Sequence, residues 1–159
     1  MKIRKLTVEN RDKVQALLKR AFPGSSYETR LIYNLHKKER KLHEWICIHT
    51  NKVIGYIAFS NAYNGNEVCG LHLAPLAIKP EHQNMGVGGE LLRFALRQEE
   101  IKTKSVYVLG APRYYEKFGF QLCSQPKCPF DKKNAHFLAI RNNVQHGFSI
   151  GYEPEFSGK

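Results

Sequence analysis

The sequence predicts an α/β fold of the α+β kind, a central sheet flanked by helices, and three observations carry that expectation. Strand-like apolar runs alternate with helix-period runs along the 159 residues. One pair of strand-like runs meets at a two-residue connector of hairpin type, so part of the sheet is antiparallel. A glycine-rich stretch, Gln83-Asn84-Met85-Gly86-Val87-Gly88, joins an apolar run to an amphipathic one, the layout of strand, loop and helix. The length suits one domain, since single domains commonly hold on the order of 100 to 200 residues. Residues 1–159 are therefore expected to form one unit.

Residues 3–8 read as an opening strand, and Asn10 supplies an N-cap for a helix carrying Val14, Leu17, Leu18 and Phe22 on one face until Pro23-Gly24 ends it. A second helix runs from residue 27 to about residue 40, with Leu31, Ile32 and Leu35 apolar. Strands follow at residues 45–48 and 53–59, joined by Asn51-Lys52, and the turn Asn64-Gly65-Asn66 leads to the next strand. That strand stops at Lys79-Pro80. Beyond the loop, Val87, Leu91, Leu92, Ala95 and Leu96 recur on one helical face. Residues 105–109 form a short strand stopped by Gly110, and Pro112 opens a brief helix that Gly119 closes. Two further strands are expected at 120–124 and 135–141, around a loop at 126–134. The tail, residues 147–156, alternates enough for an edge strand, with disorder expected after Phe156.

The balance of 25 Lys and Arg against 14 Asp and Glu gives a net charge of +11, which favours anionic partners. No basic arm accompanies it, because Glu39 interrupts the longest cationic cluster, at residues 36–41. No stretch approaches the roughly 18 apolar residues of a membrane span, so a soluble, cytoplasmic protein is expected. Cys47, Cys69, Cys123 and Cys128 show no disulfide framework and are read as free thiols. Cys123 and Cys128 with His136 lack a second ligand pair of accepted spacing, so no metal is expected.

The loop at residues 83–89 carries chemistry of its own. Placed at a helix N-terminus, its backbone N–H groups and the positive end of the helix dipole suit a phosphate, and glycines at 86, 88 and 89 keep side chains out of the way. That combination points to a nucleotide-bearing cofactor.

Three features together resemble the GNAT acetyltransferase superfamily. They are the strand running into Gln83-Asn84-Met85-Gly86-Val87-Gly88 at a helix start, the short strand after that helix, and Tyr114-Tyr115-Glu116-Lys117-Phe118-Gly119-Phe120. The loop is similar to the family's Q/R-x-x-G-x-G/A acetyl-CoA signature, and the later segment to its F-Y-x-K-x-G-F stretch. The closest likeness is to a bacterial subgroup with Leu73-Ala74-Pro75-Leu76-Ala77-Ile78 before the loop and Gly110-Ala111-Pro112 after the later strand. The resemblance implies a mixed, mostly antiparallel sheet flanked by helices and splayed at the cofactor site. It implies transfer of an acetyl group from acetyl-CoA, as cosubstrate, to a small-molecule or protein amine in a ternary complex. A homodimer stays open; membrane and nucleic acid are not expected partners. Where many relatives place an asparagine on the later strand, this chain has Val108, Leu109 and Gly110.

The site residues follow from that resemblance. Gln83, Asn84, Met85, Gly86, Val87, Gly88 and Gly89 would take the pyrophosphate. Backbone groups of Leu76, Ala77 and Ile78 would pair with the pantetheine amides, because Pro75 cannot donate to a ladder and marks an edge, bulge or splay. Tyr115 matches the tyrosine that protonates the departing thiolate, while Tyr114 packs inward. The general base stays open among Glu28, Glu67, His72 and a water relay. The alternative reading is a non-catalytic CoA-sensing or nucleic-acid-binding module on the same fold.

Overall fold

The computed structural model describes residues 1–158. The elements run β1 (Lys2–Lys5), α1 (Arg11–Ala21), α2 (Tyr27–Lys37), β2 (Leu42–His49), β3 (Lys52–Asn64), β4 (Glu67–Ile78), α3 (Val87–Leu96), β5 (Val106–Leu109), α4 (Pro112–Glu116), β6 (Gln121–Leu122) and β7 (Phe137–Ile140). The strands make one sheet in the order β1-β2-β3-β4-β5-β7-β6. Every neighbouring pair is antiparallel except β4 and β5. The expected mixed, mostly antiparallel sheet is therefore present.

Apolar faces decide where the helices sit. Leu91, Leu92, Ala95 and Leu96 of α3 join Trp45, Phe59 and Leu71 on one face of the sheet. Val14, Leu17 and Leu18 of α1 and Leu31, Ile32 and Leu35 of α2 meet Ile46, Tyr56 and Ala77 on the other. Burying a large aliphatic side chain contributes roughly 1.5 to 3 kcal/mol, so these two faces dominate the stability of the sheet.

Several sequence expectations shift. Asn10 does not cap α1: its side-chain amide donates to Thr7 Oγ1 at 3.2 Å, and residues 8–10 form a 3₁₀ turn that leads into the helix. That turn also shortens the opening strand. The β2–β3 connector is Thr50-Asn51, one residue earlier than expected, with φ of 52° and 62°. Positive φ at both central residues is the type I′ signature, whose twist matches that of the paired strands. Helix α2 ends at Lys37, because Glu39 turns left-handed at φ 54° and the Arg40 N–H reaches back to the Leu35 carbonyl at 3.0 Å.

The tail is not an edge strand. It touches the sheet through an isolated bridge between Gly151 and Tyr63, then forms a 3₁₀ turn over Pro154–Ser157. Glu155 and Phe156 are buried there. The disorder expected after Phe156 does not begin at Ser157, and Lys159 lies outside the described residues. All four cysteines are free, and burial pushes the Cys47, Cys69 and Cys123 thiols up. Among the described residues no helix is long and apolar enough to cross a membrane.

Candidate active site

The parallel ladder between β4 and β5 is short. Leu71 pairs with Val106 and His72 with Tyr107, and there the named pairs end although β4 continues to Ile78. On its other side β4 stays paired with β3 to its end, so the two central strands part beyond His72 and leave one edge of β4 free of a partner strand.

Pro75 sits at the start of that parting. Ile57 is opposite Leu76 and Phe59 opposite Leu73, so Ala74 and Pro75 together face Ala58 in a bulge. One extra residue on a strand inverts the alternation of its faces. Leu71 and Leu73 face α3 before the bulge, and Leu76 and Ile78 face it afterwards. Ala74 and Ala77 lie on the side of α1 and α2. Bulge and splay, two of the options that Pro75 left open in the sequence, both occur here.

The segment after β4 builds a helix start with unused donors. Asn84 and Gly86 adopt left-handed φ of 61° and 83°, and α3 has no side-chain cap. The Gly86 carbonyl accepts the Glu90 N–H at 3.1 Å, so the N–H groups of Val87, Gly88 and Gly89 come ahead of the first intrahelical donor. Gln83 ties the loop back to the strand, its Nε2 donating to the Ile78 carbonyl at 3.0 Å. Gln83, Asn84, Met85 and Gly86 are exposed, whereas the Val87 side chain is buried with Cys47 and Ile54. Only its backbone faces the loop.

The glycines divide their roles differently from the expectation. A Cβ on Gly86 would meet nothing within 4 Å, so that residue is set by its φ alone. A Cβ on Gly88 would come within 2.9 Å of the Tyr114 hydroxyl, and one on Gly89 within 3.2 Å of the Phe118 ring. These two glycines let α3 lie against α4 and bring the Tyr114 hydroxyl to the loop. Tyr114 therefore packs inward with its ring, edge-on to Tyr115 at 5.1 Å, while its polar tip reaches the helix start.

Tyr115 lies at the splay. Its ring stands edge-on to Phe120 at 5.7 Å, and a Cβ on Gly110 would lie 2.8 Å from its Cε2, so Gly110 leaves the space the ring uses. Burial first, then the neighbouring Tyr114, pushes its phenol up to about 12. The hydroxyl stays protonated at neutral pH and is a donor.

A cavity of about 560 Å³ opens at the splay. Leu73, Ala74, Pro75 and Leu76 form one side, and Val108, Leu109 and Tyr115 another. Phe22, Tyr27, Leu31, Tyr152 and Phe156 complete an apolar wall into which Glu28 is set. Tyr27 closes that wall by donating from its hydroxyl to the Phe156 carbonyl at 2.7 Å. The aromatic wall from the tail had no signal in the sequence, where these residues read as an edge strand.

The base candidates separate by position. Glu67 is exposed beside the β3–β4 turn and is not among the residues that line the cavity. His72 lines it but is buried, stacked on Tyr152 at 3.6 Å, with Nε2 at 3.0 Å from the Gly151 carbonyl. Its burial lowers the imidazole to about 4, so it is neutral and weakly basic at neutral pH. Glu28 is in the first turn of α2, and its Oε1 is buried without a hydrogen-bond partner among the described residues.

Comparison with known proteins places this geometry. The model of the acetyltransferase (GNAT) domain matches residues 40–122. The uncharacterized N-acetyltransferase YjhQ of Escherichia coli K12 is 37% identical over 114 residues, 68% of this chain and 62% of YjhQ, so the match spans less than two thirds of that relative. YhbS of the same strain, also an uncharacterized N-acetyltransferase, is 30% identical over 114 residues, 70% of this chain and 68% of YhbS. Among solved structures, Escherichia coli YhbS in complex with CoA superposes with a TM-score of 0.86 at 24% identity, covering 99% of this chain and 92% of that one. A GNAT family acetyltransferase from Brucella melitensis, in complex with acetyl-CoA, gives 0.80 at 23%, covering 98% and 97%. The splayed sheet, the glycine loop at a helix start and the family match agree: the chain belongs to the GNAT acetyltransferase family.

Proposed function

We propose that the chain, acting as one domain, moves the acetyl group of acetyl-CoA to a primary amine by direct attack in a ternary complex. The observation that carries this reading is the cavity at the splay, where the open edge of β4, the Tyr115 ring and Glu28, whose Oε1 has no partner among the described residues, line one space. Family relatives crystallised with CoA and acetyl-CoA support the choice of cosubstrate. A cytoplasmic setting agrees with four free cysteines.

The chain's residues divide the work. The N–H groups at the start of α3, with those of Asn84, Met85 and Gly86, take the pyrophosphate, while Gln83, whose own N–H is bonded to the Pro80 carbonyl, anchors the loop through its side chain. Backbone groups of Leu76 and Ile78 pair with the pantetheine amides as a peptide would pair with a sheet edge. Those of Ala77, opposite Tyr56, turn toward β3 instead, because the Lys79 N–H bond to the Ile54 carbonyl fixes the alternation of the ladder. A backbone N–H on that edge stabilises charge developing on the thioester oxygen. Glu28 accepts the proton that the ammonium must lose, directly or through water. The amine nitrogen then bonds to the carbonyl carbon, the carbon–sulfur bond breaks, and Tyr115 delivers its hydroxyl proton to the sulfur and is reprotonated from solvent. No cysteine lines the cavity, so the chain offers no thiol there for an acetylated intermediate.

The test is a screen of primary amines with acetyl-CoA, reading free thiol and acetylated amine together. Amine-dependent release of both in equal amounts supports the reading. CoA or nucleic-acid binding with no transfer to any amine would favour the non-catalytic alternative.

A further inference from the structure

The cavity narrows the acceptor, on the basis of the acetyl transfer proposed above. Its wall away from the splay is aromatic and aliphatic: Phe22, Leu31, Phe130, Tyr152 and Phe156. Into this wall one carboxylate is set, and its Oε1 has no partner among the described residues. A carboxylate oxygen buried without a donor is costly unless a ligand supplies one, and an ammonium supplies up to three. Among the described residues no lysine or arginine lines the cavity, although the chain carries 25 of them. An acceptor bearing its own carboxylate or phosphate would find no cationic partner among those lining residues.

Polar capacity elsewhere in the wall is largely spent. The Tyr27 hydroxyl is committed to the Phe156 carbonyl, and His72 Nε2 to that of Gly151. Acceptors with several hydroxyls or several ammonium groups would bury them unpaired. Aromatic rings instead accept an apolar body, and their faces favour a single nearby cation. The tail side of the wall is also held in place, by the Tyr27 bond and by the Arg40–Glu155 ion pair at 2.8 Å. A wall held in this way offers a fixed apolar surface against which a small amine packs without rearrangement.

We propose that the acceptor is a small monocationic primary amine with an apolar, ring-sized body and no acidic group, its ammonium held by Glu28. The class is that of an arylalkyl or branched alkyl monoamine.

The experiment compares 2-phenylethylamine with L-phenylalanine, which adds only a carboxylate, and with kanamycin, spermidine and a lysine-containing peptide. Transfer is read as acetylated product, and binding of 2-phenylethylamine to the CoA-loaded protein by calorimetry. The inference predicts kcat/KM for 2-phenylethylamine at least 100-fold above that for every other acceptor. It also predicts at least tenfold weaker calorimetric binding in Glu28→Gln, with CoA affinity unchanged. Preference for the amino acid, the polycations or the peptide would overturn the inference while leaving acetyl transfer standing. Equal 2-phenylethylamine binding in Glu28→Gln and wild type would overturn the assignment of the ammonium to that carboxylate. Failure of the wild type to bind acetyl-CoA at all would sink the proposed function, and this inference with it.

Discussion

Tyr115 and His72 show how the same physical change, burial, serves two ends. For Tyr115 it raises the phenol to about 12, which keeps the hydroxyl protonated at neutral pH, as the proposed role of proton donor requires. Tyr115→Phe keeps the ring packing against Phe120 and removes only the donor, so the chemical step should slow by roughly 10² to 10⁴ with CoA affinity little changed. Rapid-mixing kinetics under conditions where chemistry limits the rate check this, and equal rates would show that the thiolate leaves without this phenol. For His72 burial works against the charge. The unfolded imidazole titrates near 6.5 and the folded one at about 4, so between those values the unfolded chain binds the extra proton. The stability linked to His72 is whole above pH 6.5 and falls as the pH drops toward 4, by about 3 kcal/mol in all. Urea unfolding of His72→Gln, which keeps a donor for the Gly151 carbonyl, should show a pH dependence shallower by about that amount. A slope equal to wild type would mean that folding does not shift the imidazole. Tyr115 was legible in the sequence because a motif carries it. Glu28 was legible as one of several base candidates, through the resemblance and not through any spacing of its own; its cavity is made by residues as distant as Phe156.

Among the elements, α3 and α4 depend on each other through the glycines between them. Gly88→Val would push a branched side chain against the Tyr114 hydroxyl and into the approach to the α3 N–H groups. The displaced atom is the tip of a flexible side chain, so the fold should persist while CoA affinity drops about tenfold or more, or about 1.4 kcal/mol. Isothermal titration with CoA reads this, and unchanged affinity would remove the loop from the proposed site. The tail is a second dependent element. Glu155 is buried against the Arg40 guanidinium, which holds its carboxyl below the usual range, and the ion pair fixes the segment that supplies Phe156 to the cavity wall. Arg40→Met would leave that carboxylate buried without its partner, a loss of about 3 kcal/mol. Adding Glu155→Gln should restore part of it in denaturant melts, and no recovery in the double variant would assign the loss to the Arg40 stem instead. Sequence pattern found the helices and central strands because their apolar periods are long. It missed the tail because an alternating run of aromatic residues fits an edge strand as well as a 3₁₀ turn, and long-range contacts such as the Gly151–Tyr63 bridge, the Tyr27–Phe156 bond and the Arg40–Glu155 pair decide between them.

At the scale of the whole molecule, the sheet's one parallel pair produces the site. A continuous ladder between β4 and β5 would close the cavity, and the bulge at Ala74 and Pro75 lies where the pairing ends. Pro75 was visible in the sequence as a residue that cannot extend a ladder, so the parting of the strands was legible. The depth and chemistry of the cavity were not, since they come from α1, α2 and the tail meeting across more than 100 residues of chain, as the Tyr27 to Phe156 hydrogen bond illustrates with its separation of 129. The same assembly brings Glu28 and Tyr115 to one cavity with no cysteine in its lining, which is the physical basis for proposing direct transfer without an acetylated protein. That claim has one direct measurement: intact-mass spectrometry of the protein incubated with acetyl-CoA, with free thiol followed in parallel before and after an amine is added. The account predicts an unmodified protein mass and no thiol release until the amine arrives, then thiol and acetylated amine in equal amounts. A stoichiometric acetyl adduct on the protein, formed with a matching burst of thiol before any amine is present, would contradict it.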